Sequence, residues 1–112
     1  MKIHSYYSQS GTDLIKGYID DLTTDEQVDA YDVLNQLEQN KTETLNIKKW
    51  DGKILEVYFY KHNGIFYVVA EEENVYLLHA CRKQKNKTEK KDSRIIIARA
   101  KELSKIIKKR II

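Results

Sequence analysis

"KILEVYFYKHNGIFYVVAEEENVYLLHAC", residues 53 to 81, contains three runs of strand-forming residues separated by two short polar breaks. In the first run Leu55, Val57 and Phe59 alternate with Glu56, Tyr58 and Tyr60, the period-two pattern of a strand with one buried face. The second run, "GIFYVVAEE", is almost wholly apolar and aromatic before its acidic end, and "NVYLLHAC" is the third. β-Branched and aromatic side chains suit a pleated, half-buried surface. "HNG" (His62, Asn63, Gly64) and "EEEN" (Glu71 to Asn74) are compact enough to close hairpins, which predicts a three-stranded meander.

Upstream of the meander the period changes to that of a helix. From Ser10, Leu14, Ile15, Tyr18, Ile19 and Leu22 fall on one helical face, with Asp13 near the amino end where a negative charge suits the helix dipole. A second stripe follows in Val28, Tyr31, Leu34 and Leu37, and Thr24 with Gln27 three positions on reads as its capping box. The short break between the stripes predicts a helical hairpin. Residues 2 to 8, with Ile3, Tyr6 and Tyr7, fit a short opening strand. After the meander, Ile96, Ala100, Leu103 and Ile107 form the apolar stripe of a basic C-terminal helix. The predicted order is strand, helix, helix, three strands, helix. This is an α+β domain with an antiparallel sheet packed by helices, spanning residues 1–112 as a single unit.

Composition narrows the class further. At 112 residues the chain suits one core, and 41% hydrophobic residues with eight Tyr exclude a disordered composition. Proline is absent and Gly numbers four, which argues against a loop-rich sandwich. The lone Cys81 excludes an internal disulfide and suits a reducing compartment, so the cytoplasm is expected. No apolar run approaches a membrane span, and "MKIHSYYSQSG" lacks the apolar core of a secretory signal.

Charge is distributed unevenly. Residues 1–81 hold 7 Lys+Arg against 14 Asp+Glu, a balance of −7, whereas residues 82–112 hold 13 against 3, a balance of +10. Such a dipole implies a basic surface for a polyanion, or for an acidic partner, carried on an acidic body. The basic half begins abruptly at "CRKQKNKTEKK", residues 81 to 91, directly after the last strand. A charge run alone is more often a solvated turn than a binding site.

The stretch from residue 50 to residue 103 resembles the core of the RelE/ParE toxin superfamily, most of all its HigB-like branch. Leu55, Glu56 and Val57 match the family's first strand motif, and Gly64, Phe66 and Val68 the second. Leu77, Leu78 and His79 match the third, and Lys83, Lys87 and Thr88 the basic motif before the terminal helix. Tyr58 and Tyr67 stand where the family usually carries arginines, and Glu89 where it has proline. The resemblance implies a toxin of a type II toxin-antitoxin module, a ribosome-dependent messenger RNA endoribonuclease that inhibits translation. It also implies a cognate antitoxin, a helix-turn-helix protein of HigA-like type. The alternative is a non-enzymatic relative, either a ParE-like gyrase inhibitor or a catalytically degenerate member that binds only antitoxin or nucleic acid.

Such cleavage uses the ribose 2'-hydroxyl as nucleophile on the adjacent phosphate, so neither a metal nor a cofactor is expected. The protein supplies cations beside the phosphate and a proton donor. The catalytic candidates are Arg82, Lys83 and Lys85, leaving the last strand, with Tyr58 and Tyr67 on neighbouring strands as proton donors or stacking platforms. Lys48 and Lys49 in "IKKW", with Lys87 and Lys90, are the expected phosphate contacts. His79, between apolar neighbours in a strand, reads as core-lining rather than as the general acid, and His62 as a solvated turn residue. His79 and Cys81 have neither the number nor the spacing of a zinc site.

Overall fold

The computed structural model describes residues 1–83 and 87–112. Its elements are β1 (Lys2–His4), α1 (Leu14–Asp20), α2 (Thr24–Glu38), β2 (Asn46–Asp51), β3 (Ile54–Phe59), β4 (Asn63–Ala70), β5 (Asn74–Arg82) and α3 (Lys90–Ile107). The α+β class and the order of the predicted elements hold, and one strand is added. β2, "NIKKWD", pairs antiparallel with β3 and extends the meander to four strands. Its polar sequence reads as a loop because it is an edge strand, where lysines commonly discourage further pairing.

The sheet is ordered β1-β5-β4-β3-β2, and β1 lies parallel to β5. It is therefore mixed, a correction to the antiparallel expectation. A three-residue strand carries no alternation from which its direction could be read. The helices cover both faces. Ile15, Ile19, Ala30, Val33 and Leu37 of α1 and α2 pack on Val57, Phe59, Ile65 and Tyr67. Ile96, Ala100 and Leu103 of α3 pack on the opposite face against Phe66, Val68, Leu78 and Cys81. Burial on both sides explains why β4 reads as a continuous apolar run. Among the described residues no helix is long and apolar enough to cross a membrane.

Local chemistry sets the helix starts. Asp13 caps α1, its carboxylate accepting from the Ile15 and Lys16 backbone N–H groups at 3.1 and 3.0 Å. The capping box of α2 is Thr23 with Glu26, one residue before the predicted Thr24 and Gln27. Gln27 instead donates to the carbonyls of Ile19 and Asp20, each at 3.1 Å, and so ties the end of α1 to α2. After α3 the chain folds back. The Lys53 N–H donates to the Ile111 carbonyl at 2.7 Å, and a Cβ at Gly52 would lie 2.2 Å from that oxygen, so only glycine fits.

The first hairpin turn falls slightly before its predicted position, and the second lies within the predicted "EEEN" stretch. Tyr60 and Lys61 close β3–β4 and Glu71 and Glu72 close β4–β5, all four at positive φ. Tyr60 is held there by the Asp29 carboxylate, which accepts from its N–H at 2.8 Å. Glu71 and Glu72, at φ 59° and 62°, stand in a conformation that costs a non-glycine residue roughly 1–2 kcal/mol. Glu72→Gly is expected to stabilise the domain by about 0.5–1 kcal/mol, after allowance for the entropy glycine adds to the unfolded chain. A chemical denaturation midpoint unchanged or lowered in this variant would contradict that reading.

Candidate functional site

The sheet brings Glu56, Tyr58, Gly64, Cys81 and Lys48 onto one face, because Lys48 pairs with Glu56, Tyr58 with Gly64, and Gly64 with Cys81. This is the α3 side of the sheet, left open toward the β2 edge. Glu56 is fully buried in mid-strand, and the Lys83 ammonium lies 2.7 Å from its Oε2, itself only 3% exposed. Among the described residues neither Glu56 oxygen meets hydrogen-bond geometry, so the contact is best described as an ion pair. Burial alone would lower the Lys83 pKa, but Glu56 and Tyr58 together outweigh it and the net shift is upward. Lys83 is therefore charged at neutral pH.

The same ammonium donates to the Tyr58 hydroxyl at 2.8 Å. It also stands 4.6 Å from the centre of the Tyr58 ring. Lys48, exposed on β2, stands over that ring at 5.1 Å from its centre. Asn46, Lys48, Tyr58 and Lys61 line one shallow open hollow. Glycine at position 64 makes room for this arrangement, since a Cβ there would lie 2.8 Å from Glu56 Oε2 and 3.5 Å from the Lys83 side chain. Lys87 and Lys90, both exposed, flank the start of α3, and the Trp50 indole N–H donates to the Thr88 hydroxyl at 3.3 Å.

Other candidates are placed elsewhere. Arg82 points to the opposite side of the sheet and pairs with Glu26 at 2.7 Å. Its neighbour Asn63, fully buried, donates to Glu26 at 2.8 Å and accepts from the Tyr18 hydroxyl at 2.5 Å. Arg82 is thus held in a knot joining α1, α2, β4 and β5. Tyr67 is 2% exposed against the helical hairpin, and burial pushes its phenol up to about 12. It pairs with Leu55, on the sheet face opposite Tyr58, so the two tyrosines are not brought together. Lys49 is exposed but lies on the hairpin side of β2. Lys85 lies outside the described residues.

His79 is half-buried and donates from Nε2 to Asp92 at 2.8 Å, while the Arg99 guanidinium approaches Nδ1 at 3.3 Å. A guanidinium only donates, which makes Nδ1 the acceptor and leaves the proton on Nε2. Burial lowers the His79 pKa, partly offset by Asp92, so the ring is neutral at pH 7. His79, Cys81 and Asp92 present donor atoms within 4.8 Å of one another. They do not fit a metal well: burial pushes the Cys81 thiol up to about 12, and Arg99 opposes the proton on Nδ1 that Nε2 ligation would require. The cluster ties α3 to β5.

The site therefore consists of Lys48 and Tyr58 at the surface, Lys83 behind them and Glu56 behind Lys83. In the sequence Glu56 and the supporting Gly64 read as a strand position, a turn position and family-motif matches, not as site residues. The available signal was a carboxylate and a glycine on neighbouring apolar strands, each unfavourable unless a partner requires it.

A mixed sheet between a helical hairpin and a basic C-terminal helix is a RelE-like domain. More narrowly, this chain belongs to the phage derived protein Gp49-like family (DUF891), whose family model matches residues 17–101, from within α1 to within α3. That family is toxin-like and found in toxin-antitoxin systems. No curated protein matches the chain at a significant level.

Proposed function

We propose that this protein is the toxin of a type II toxin-antitoxin module, of HigB-like type, and that it cuts messenger RNA on the ribosome in the cytoplasm. The observation that carries this reading is the hollow lined by Lys48 and half-buried Tyr58, with the exposed Lys48 ammonium standing over the Tyr58 ring. In the reaction the ribose 2'-oxygen attacks the adjacent phosphorus as its proton passes to solvent water, and the P–O5' bond breaks. The departing 5'-oxygen takes up a proton. Lys48 neutralises a non-bridging oxygen, Tyr58 donates its proton toward the phosphate or leaving oxygen, and Lys87 and Lys90 follow the flanking backbone. A helix-turn-helix antitoxin would silence the protein by covering this edge with acidic groups.

A specific observation favours a second reading, that of a binder without catalysis. Arg82 and Lys83, the two cations closest to the strand end among the described residues, are each neutralised by a carboxylate. Mapping transcript ends after induction separates the readings. Cutting by the parent, reduced roughly 10²-fold in Tyr58→Phe, supports the nuclease. Growth arrest with intact transcripts supports the binder, and equal cutting by parent and Tyr58→Phe removes Tyr58 from the site.

A further inference from the structure

Three residues around Tyr58 break the rules of the strands that carry them. Glu56 is a fully buried carboxylate, Lys83 a buried ammonium and Gly64 a mid-strand glycine. Stability alone does not call for the set, because a buried ion pair is commonly replaced as a pair by apolar side chains at no loss, and glycine weakens a strand. Gly64 leaves room for the pair, and the Lys83 ammonium of the pair presents one N–H to the Tyr58 oxygen. A phenol oxygen that accepts from an ammonium has its own proton directed away from that ammonium, and Tyr58 lines the open hollow.

We propose that Glu56 is a positioning residue: through its buried pair with Lys83 it keeps that ammonium donating to the Tyr58 oxygen, and so leaves the Tyr58 proton aimed at a phosphodiester oxygen of bound RNA. The inference rests on the RNA-binding reading above and assigns Glu56, which touches no substrate, a role in it. Without Glu56, burial acts on Lys83 with less to oppose it, and the amine loses its proton at lower pH. A neutral amine gains a lone pair that accepts from the Tyr58 hydroxyl, and its remaining N–H groups are weaker donors, so the Tyr58 proton turns inward. The groups facing Lys83 are Glu56 and Tyr58 from β3 and the Cys81 thiol from β5. Lys48 of β2 stands over the same ring, and Glu89 and Asp92 at the start of α3 bear on Cys81.

The test is the affinity of the full chain for a 2'-O-methyl RNA oligonucleotide, which cannot be cut, between about pH 6 and about pH 9. The parent should bind with little pH dependence beyond that of groups common to both proteins. Glu56→Gln should match it at the acidic end and weaken by about tenfold as pH rises, the loss of one charge-supported hydrogen bond. Tyr58→Phe should be weak throughout. Because Glu56→Gln leaves the ammonium buried with a weaker partner, Glu56→Leu, Lys83→Met provides a variant that strands neither charge. It should fold, bind about as weakly as Tyr58→Phe and show no such pH dependence. A Glu56→Gln profile parallel to the parent's, or parental affinity in the double variant, overturns the inference while transcript cutting still stands. Absence of cutting by the parent alongside the expected binding profile sinks only the nuclease. Failure of the parent to bind RNA sinks both.

Discussion

Lys83→Met is expected to destabilise the domain by about 3–5 kcal/mol, because it leaves the fully buried Glu56 carboxylate without its counter-ion. A domain of this size has about 5–15 kcal/mol of stability in all, so the melting temperature should fall by more than about 10 °C. The loss belongs to the stranded charge and not to the missing lysine. Two further results distinguish these explanations. The penalty should shrink as pH is lowered, since a buried carboxyl without a cation is less costly when protonated. Adding Glu56→Leu should restore most of the stability, giving a coupling of a few kcal/mol in the double-mutant cycle. Additive effects would mean that the two side chains do not stabilise each other, despite the 2.7 Å separation. The same cycle guards the functional tests, because an inactive Lys83 variant is informative only if it is folded.

The parts of the fold legible in the sequence are those in which burial follows a period. β3, β4, β5, α1 and α3 show apolar stripes that the structure buries, whereas α2 turns Ala30, Val33 and Leu37 to the core and leaves Val28 and Tyr31 of its expected stripe exposed. β2 has no such stripe because it is an edge strand bearing Lys48 and Lys49. Thr23 and Thr24 are adjacent, each with a plausible capping partner three residues on, so the sequence alone leaves the start of α2 uncertain by one. The site was less legible than the fold because it depends on strand register. Tyr58 opposite Gly64 and Leu55 opposite Tyr67 put one tyrosine on the α3 face and the other under the hairpin, and a turn one residue longer would exchange them. Charge runs likewise reveal composition but not pairing. Arg82 and Lys83 are consecutive in the chain, yet they leave β5 toward opposite faces, one to Glu26 and the other to Glu56.

The Glu26 knot should govern acid stability. Hydrogen bonding from Asn63, with smaller contributions from Thr23 and Arg82, holds the Glu26 carboxyl at about 2, well below its ordinary value near 4.5. The folded state therefore binds fewer protons at this group than the unfolded state does between these values. The resulting stabilisation is fully present above about pH 4.5 and is lost as pH falls toward about 2. Glu26→Gln retains an acceptor for Asn63 but presents an amide to Arg82, and it does not titrate. Urea midpoints measured from neutral pH downward should show the parent more stable at neutral pH, with the gap closing through that acidic window. Parallel curves would exclude the proposed linkage. RNA affinity at neutral pH provides the complementary readout. Arg82 is engaged with Glu26 on the face opposite Tyr58, so releasing it in Glu26→Gln should leave binding nearly unchanged, whereas Lys48→Ala should weaken it and reduce its salt dependence by about one phosphate contact.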